Sequence, residues 1–249
     1  MQSVKILDLK IHKINIGQLI ENIIRGIKEG KKMKTFHLNV HAFNVAFKDP
    51  DFKNVINDGD LVFCDGFGVK IGAKILGLSI GERMTPPDWI DELCSALAKI
   101  NYSIYLLGDE PGVAEKCAAV LLEKHPALNI KGAHHGYFDK EGKENAEVIN
   151  IINRAAPDVL LVGFGMPLQE KWIAANIGNI NSSIFISVGA MFRWIARVEK
   201  RAPAVLASNG FEWLWRLLTQ PSKVWKRYTI EVFVFFFKVL YTATFGKKT

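Results

Sequence analysis

Between residues 103 and 188, short apolar runs alternate with longer amphipathic stretches, and this rhythm restricts the fold more than any other feature of the chain. Strands are expected at 103–107, 128–132, 159–162 and 184–188, with helices at 112–124, 143–154 and 168–176. Val159 to Val162 has no polar alternation, as suits a strand buried on both faces. Strands separated by helix-length segments run parallel, so an α/β fold with a Rossmann-like, doubly wound parallel sheet and flanking helices is expected. The first hundred residues are less regular. Residues 4–14 read as extended, 33–38 and 61–64 as strands, and 17–30, 39–47, 50–57, 68–76 and 86–100 as helices. The expected organisation is an α/β domain over 1–205, with a smaller N-terminal portion (1–100) and a doubly wound portion (101–205), followed by a helical appendage over 206–249.

Open α/β sheets bind ligands beyond the carboxyl ends of their strands. His37 and Asn39 stand at one such end, and Asp65-Gly66 at the next. Gly108, Gly136-Tyr137 and Gly163-Phe-Gly165 stand at others; the last leads through Pro167 into a helix carrying Gln169 and Glu170. Glycine lets backbone approach a ligand, and the free N–H groups of a first helical turn favour anionic or carbonyl oxygens. Each element also has a plainer reading. Gly-x-Gly is an ordinary βα turn, and Asp65 is either a carboxylate that takes a proton from an attacking hydroxyl or an Asx-turn residue capping the next helix. Arg83, in an irregular loop, suits a phosphate clamp or a surface salt bridge equally. Tyr137 either stacks on a base or fills core, and core is the better expectation from its surroundings in the chain.

No metal site is expected. Asp49/Asp51 and Asp58/Asp60 sit in turns without a third hard ligand, and His37 and His41 share helical spacing without an acidic companion. Three widely spaced cysteines argue against a disulfide framework or zinc site and for a reducing cytosol. The amino terminus lacks the apolar core of a signal peptide, and no window offers 18 uncharged apolar residues, so neither secretion by that route nor a membrane span is expected. From Gly210 onward seven basic residues face two acidic ones, so most of the net charge of +7 lies in the tail. The same tail carries Trp213, Trp215, Trp225 and a run of phenylalanines from Phe233 to Phe237. Basic residues beside aromatics suit a helix lying in an anionic membrane interface, the reading favoured over packing on the body or on another subunit. So apolar a face argues against nucleic acid.

Taken in order, these pieces resemble the WecG/TagA/CpsF family of bacterial glycosyltransferases. The resemblance rests on Asn39; Asp65-Gly66-x-Gly68-Val69; Arg83-x-x-x-x-Asp88; Leu107-Gly108-x-x-Pro111-Gly112-Val113; and His125-Pro126 with Gly132-x-x-x-Gly136-Tyr137-Phe138. It continues through Gly163-x-Gly165-x-Pro167-x-Gln169-Glu170-x-Trp172, Val188-Gly189-Ala190-x-Phe192, Arg201-Ala202-Pro203 and Glu212-Trp213-Leu214-x-Arg216-Leu217. It implies an inverting, metal-independent enzyme without a cofactor. Such an enzyme moves an N-acetylmannosamine-type or uronic acid sugar from a UDP-sugar to a polyprenyl-diphosphate-linked saccharide. It would work peripherally on the inner face of the cell membrane; a homo-oligomer is left open. By resemblance Asp65 is the general base, and Asn39, Arg83, Tyr137 and Gln169 belong to the donor pocket; His37, Gly66, Gly108, Gly136, Gly163 and Gly165 are further substrate-binding candidates at the strand ends. Arg216, Lys223 and Arg227 would close over the diphosphate. Two departures stand out: His37 where relatives commonly have Thr, and Arg193 where they have Asp. For Arg193, contact with a sugar carboxylate and a surface role are the two readings. The alternative to transfer is a nucleotide-dependent oxidoreductase, against which stands the lack of a Gly-x-Gly-x-x-Gly after any strand.

Overall fold

The central strands have apolar side chains on both faces, and each face is buried in a different helical layer. In the computed structural model, which describes residues 1–200, 202–203, 205–206 and 210–246, six strands form a single parallel sheet. They are β3 (Met33–Leu38), β4 (Leu61–Cys64), β5 (Ser103–Gly108), β6 (Asn129–His134), β7 (Val159–Gly163) and β8 (Ile184–Ser187), in the order β4-β3-β8-β7-β5-β6. Ile104, Leu106, Val159, Leu161, Ile184 and Ile186 point into one core layer. That layer is closed by α1 (Ile16–Lys28), α5 (Pro86–Lys99), α6 (Val113–Lys124) and α9 (Met191–Ile195). The alternating residues, Tyr105, Leu107, Leu160, Val162 and Phe185, point into the opposite layer. Here α2 (Val40–Ala46), α3 (Pro50–Asn57), α4 (Phe67–Ile75), α7 (Gly142–Ala155) and α8 (Leu168–Asn176) cover the sheet. Period-two side chains buried on both sides are what made these runs continuously apolar.

The extended segment at 4–14 is a two-stranded antiparallel hairpin, β1 (Ser3–Ile6) and β2 (Leu9–His12). Its turn is Leu7-Asp8, both at positive φ (45° and 70°). The Asn-Gly or Asp-Gly pair that normally marks such a turn is missing, so local sequence did not reveal it. Tertiary contacts hold it instead, with Asn57 Nδ2 donating to Asp8 O at 3.0 Å and Lys53 paired with the Asp8 carboxylate at 2.8 Å. Edge strand β6 runs two residues further than expected, to His134. Only one side of it has a partner strand, so its side chains are half-buried and the apolar signal fades early.

The tail folds as α10 (Glu212–Thr219), α11 (Pro221–Tyr228) and α12 (Ile230–Phe245). Phe235 and Val239 of α12 are fully buried in the second core layer. The Phe235 ring stacks at 5.1 Å from Phe43, and a Cβ on Gly72 would come within 2.8 Å of it. Asn44 Nδ2 donates to Glu231 O at 2.9 Å, and His41 Nδ1 meets Glu231 Oε2 at 2.7 Å, tying α2 to α12. By length and composition Val224–Phe245 does pass for a membrane span, with a mean hydropathy of 1.4 over the qualifying window. Its charges fall on Lys226, Arg227, Glu231 and Lys238, and one face is committed to the body.

At the carboxyl ends of β5, β6 and β7 the backbones touch. A Cβ on Gly108 would lie 2.5 Å from Gly163 O, and one on Gly136 would lie 3.2 Å from Gly108 Cα. Gly108→Ala therefore forces two parallel strands apart and is expected to cost about 2–3 kcal/mol. Gly178→Ala, with open space around the new methyl, should stay within about 0.5 kcal/mol of wild type. Urea unfolding midpoints of the two variants check this.

Candidate active site

Parallel pairing in the register Leu38 to Cys64 brings Asn39 and Asp65 out of the sheet side by side, and Asp65 N donates to Leu38 O at 2.8 Å. Asn39 is the N-cap of α2: its Oδ1 accepts from Ala42 N at 3.1 Å. This orients the amide so that Nδ2 donates to Asp65 Oδ2 at 3.3 Å. Gly66, at φ 118°, is the N-cap of α4 and no side chain caps that helix, so the Asx-cap reading of Asp65 does not hold. The Asp65 side chain is 14% exposed, with His37 Nε2 at 3.7 Å on its inner side. Burial pushes the His37 imidazole below its ordinary value; Asp65 and the Ser187 carbonyl oppose this, and Arg227 adds to it.

Beneath this pair lies a buried polar layer. Gln169 is fully buried, and its Oε1 accepts from Gly165 N at 3.2 Å and Gly189 N at 3.1 Å. It thus joins the turns after β7 and β8, shaping the floor of the site from inside. Its Nε2 donates to Glu170 Oε1 at 2.7 Å. Glu170 is also fully buried, and Oε2 has no hydrogen-bond partner among the described residues. Burial pushes its carboxyl up to about 7, while Gln169, its own backbone N–H and the Ser187 hydroxyl draw it down. Neither Glu170 nor Ser187 was expected here: Glu170 lies in an ordinary helix start, and Ser187 is one hydroxyl ending an apolar strand.

The glycines divide into two kinds. Gly108, Gly136 and Gly163 are required because neighbouring chains press on them: Gly136 N donates to Asp109 O at 2.7 Å, and Asp109 N to Gly163 O at 3.0 Å. Gly165, at φ 83°, has nothing within 4 Å of where a Cβ would stand, so the space above its turn is open. Beside it, Lys140 Nζ donates to Gly136 O and Phe138 O at 2.6 Å each and rests 3.8 Å over the Phe138 ring. This clamps the loop that carries Tyr137. Tyr137 is 67% exposed, so the core reading is wrong for it.

Arg83 pairs with Asp88 at 3.1 Å and lies 5.1 Å over the ring of Phe67, directly after the Asp65-Gly66 turn. Arg193 is held by Asp109 at 2.8 Å, Glu110 at 3.2 Å and Glu199 at 2.9 Å. Three protein carboxylates engage Nε and Nη1 of that guanidinium. Asp58 and Asp60 belong to the β4 turn, where Asp60 Oδ2 accepts from Lys34 N at 2.8 Å. Asp49 caps α3 and pairs with Lys171 at 2.6 Å. Among the described residues no three His, Cys, Asp or Glu side chains converge as metal ligands would.

Between the body and the tail helices is a cleft of about 380 Å³, lined by His41, Arg193, Arg216, Lys226, Arg227 and Glu231 among others. The Arg216 guanidinium stacks 5.4 Å from the Trp194 ring, and its Nε is buried without a partner among the described residues. Burial, and then the neighbouring Arg216, hold Arg227 below the usual arginine range, while Tyr228, Glu231 and Asp65 favour its charge. Two guanidiniums lining one cleft give it a positive potential. Arg227 acts on both His37 and Asp65, which joins the cleft to the strand-end pair. Lys223 lies on α11 with its side chain outside the described residues, as does Arg201 of the Arg-Ala-Pro triplet.

A parallel α/β sheet with Asp65 at a strand end and a cationic cleft among its tail helices suits an enzyme of group transfer. The WecG/TagA/CpsF glycosyl transferase profile matches residues 4–249, and the chain belongs to that family. It is a glycosyltransferase. Proteins from Staphylococcus aureus strains NCTC 8325 / PS 47, COL and MRSA252 are each 27% identical to it over 235 residues, spanning 93% of this chain and 91% of theirs. Each of these is an N-acetylglucosaminyldiphosphoundecaprenol N-acetyl-beta-D-mannosaminyltransferase. The oxidoreductase alternative falls with this membership.

Glu170 supplies a pH test of the buried layer. Its carboxyl binds a proton more tightly folded than unfolded, so its contribution to stability is complete below its ordinary value of 4.5 and is lost as pH rises towards 7. Glu170→Gln keeps the shape without the charge. On going from pH 5 to pH 8, wild type should lose up to about 3 kcal/mol more stability than this variant, measured by urea unfolding. Equal losses would mean that the carboxyl is solvated.

Proposed function

We propose that the protein transfers an N-acetylmannosamine-type or uronic acid sugar from a UDP-sugar to a polyprenyl-diphosphate-linked saccharide at the inner face of the cell membrane. Asp65 takes the proton of the acceptor hydroxyl as its oxygen attacks the anomeric carbon. The bond from that carbon to the UDP oxygen breaks, and its electron pair leaves with UDP, inverting the centre. The observation that carries this reading is the neighbourhood of Asp65: one oxygen is oriented by Asn39, and the Arg227 of the cationic cleft acts on the same carboxylate. Arg216, Lys226 and Arg227 would neutralise diphosphate charge, each most effective where water is excluded. Lys223, on the same helix, fits the same role. Gly66, Gly165 and Tyr137 leave open or exposed surface for the donor, while Gln169 and the Gly108, Gly136 and Gly163 contacts set the shape of the floor.

The relatives' acceptor is a lipid-linked diphosphate, and the tail suits a lipid surface. Phe233, Phe237, Leu240, Tyr241 and Phe245 are exposed on α12, with Phe235 and Val239 turned to the body. Trp213 and Trp225 are exposed on the preceding helices, and Lys226 and Lys238 are exposed beside them. Apolar rings at the acyl boundary with cations among anionic headgroups would hold such a helix flat, each cation adding about 1 kcal/mol.

Asp65→Asn should lose turnover by a factor of about 100 or more while binding UDP as wild type does, read by UDP release and by calorimetry. Near-normal turnover would remove Asp65 from the mechanism. Phe233→Ser/Phe237→Ser should keep the fold, since both rings point away from the body, and weaken sedimentation with phosphatidylglycerol vesicles about tenfold or more. Undiminished sedimentation would take α12 out of the membrane contact.

A further inference from the structure

Behind Asp65 stands a second titratable group that the proposed reaction has not used. His37 is buried at the end of β3, with Nδ1 3.1 Å from Ser187 O. A carbonyl oxygen only accepts, so the imidazole proton sits on Nδ1. The neutral ring then turns the lone pair of Nε2 towards Asp65 Oδ2, 3.7 Å away. Two acceptors thus face one another with no proton between them, at a separation that a proton would draw into a charge-assisted hydrogen bond. The charged groups acting on His37 are Asp65 from the end of β4 and Arg227 from α11. Arg227 disfavours an added proton in the resting enzyme, and Asp65 favours it. Ser187 Oγ lies 3.3 Å from Nδ1 and also acts on Glu170 of α8, so a buried acid stands on the far side of the ring.

We propose that His37 and Asp65 act as one base, in which the proton received by Asp65 is held between Asp65 Oδ2 and His37 Nε2. His37 is a positioning residue in this scheme: it meets Asp65 and never the sugar. The acceptor O–H bond breaks, its oxygen bonds to the anomeric carbon, and UDP departs with the electron pair of the bond it leaves. The proton stays in the pair as an imidazolium facing a carboxylate, then passes to solvent when product leaves. Ser187 O keeps the second imidazolium N–H paired throughout. Asn39, fixed by its helix cap, keeps Oδ2 on the histidine side, so the proton has a defined seat.

This inference rests on Asp65 being the base, and the experiment separates the two claims. Rates are measured from pH 5 to 9 with UDP-N-acetylmannosamine and undecaprenyl-diphosphate-linked N-acetylglucosamine, for wild type, His37→Gln, His37→Asn and Asp65→Asn. Glutamine reaches towards the Nε2 position and asparagine keeps the donor to Ser187 O, but neither amide takes up a proton. Both should lower kcat about tenfold or more, leave the donor KM within about threefold, and move the acidic limb of the kcat profile to lower pH. Two His37 variants guard against misfolding of one, and UDP calorimetry identifies the folded ones. A wild-type kcat and limb in a folded His37 variant overturns the pairing, as does a lower kcat with an unmoved limb, which marks a purely structural role. If Asp65→Asn also turns over normally, the base assignment itself has failed; if it is inactive while His37→Gln behaves as wild type, only the pairing has.

Discussion

The parallel register between β3 and β4 is the constraint on which the site depends. It sets Leu38 opposite Cys64, so the next residue of each strand, Asn39 and Asp65, must emerge together. On the other side β3 pairs with β8, which brings His37 beside Ser187. A slip of one residue would turn His37 to the opposite face and break both contacts. Continuous burial on both faces makes such a slip costly, since Phe36, Leu38, Phe63 and Cys64 would all exchange layers.

Polar groups in this layer are arranged so that few are wasted. Asn39 caps a helix with its oxygen and orients a carboxylate with its nitrogen. Gln169 satisfies two turn N–H groups with one oxygen and a buried carboxyl with its amide. An aspartate at 39 or a glutamate at 169 would keep the acceptor and lose the donor, setting carboxylate against carboxylate at low dielectric. The amides are therefore chemically specific.

The tail is bound to the body by packing and charge together. Phe235 fits over Gly72 and against Phe43, while His41 and Asn44 both engage Glu231. With α11 packed on α12, Arg227 lines the cleft together with Ala190 of the turn after β8. The outward face of α12 is left apolar, so one helix arrangement both exposes that face and completes the cationic cleft.

The α/β architecture and the strand-end location of His37, Asn39, Asp65 and the glycines were legible because burial on both sides of a parallel sheet writes uninterrupted apolar runs, and ligand positions follow from topology. Motif order identified the family. Local sequence carried no sign of the Leu7-Asp8 turn, which is held by contacts from α3. The exposure of Tyr137, the pairing of Arg193 with three carboxylates and the buried layer of Ser187, Gln169 and Glu170 were equally hidden. Those depend on which residues from distant elements meet, and on how far burial moves a proton equilibrium. Pattern along the chain thus determined the layers and the edge at which chemistry sits; only the tertiary structure decided which polar atoms face each other there, because hydrogen bonds and desolvation act over a few ångströms between residues up to 190 positions apart.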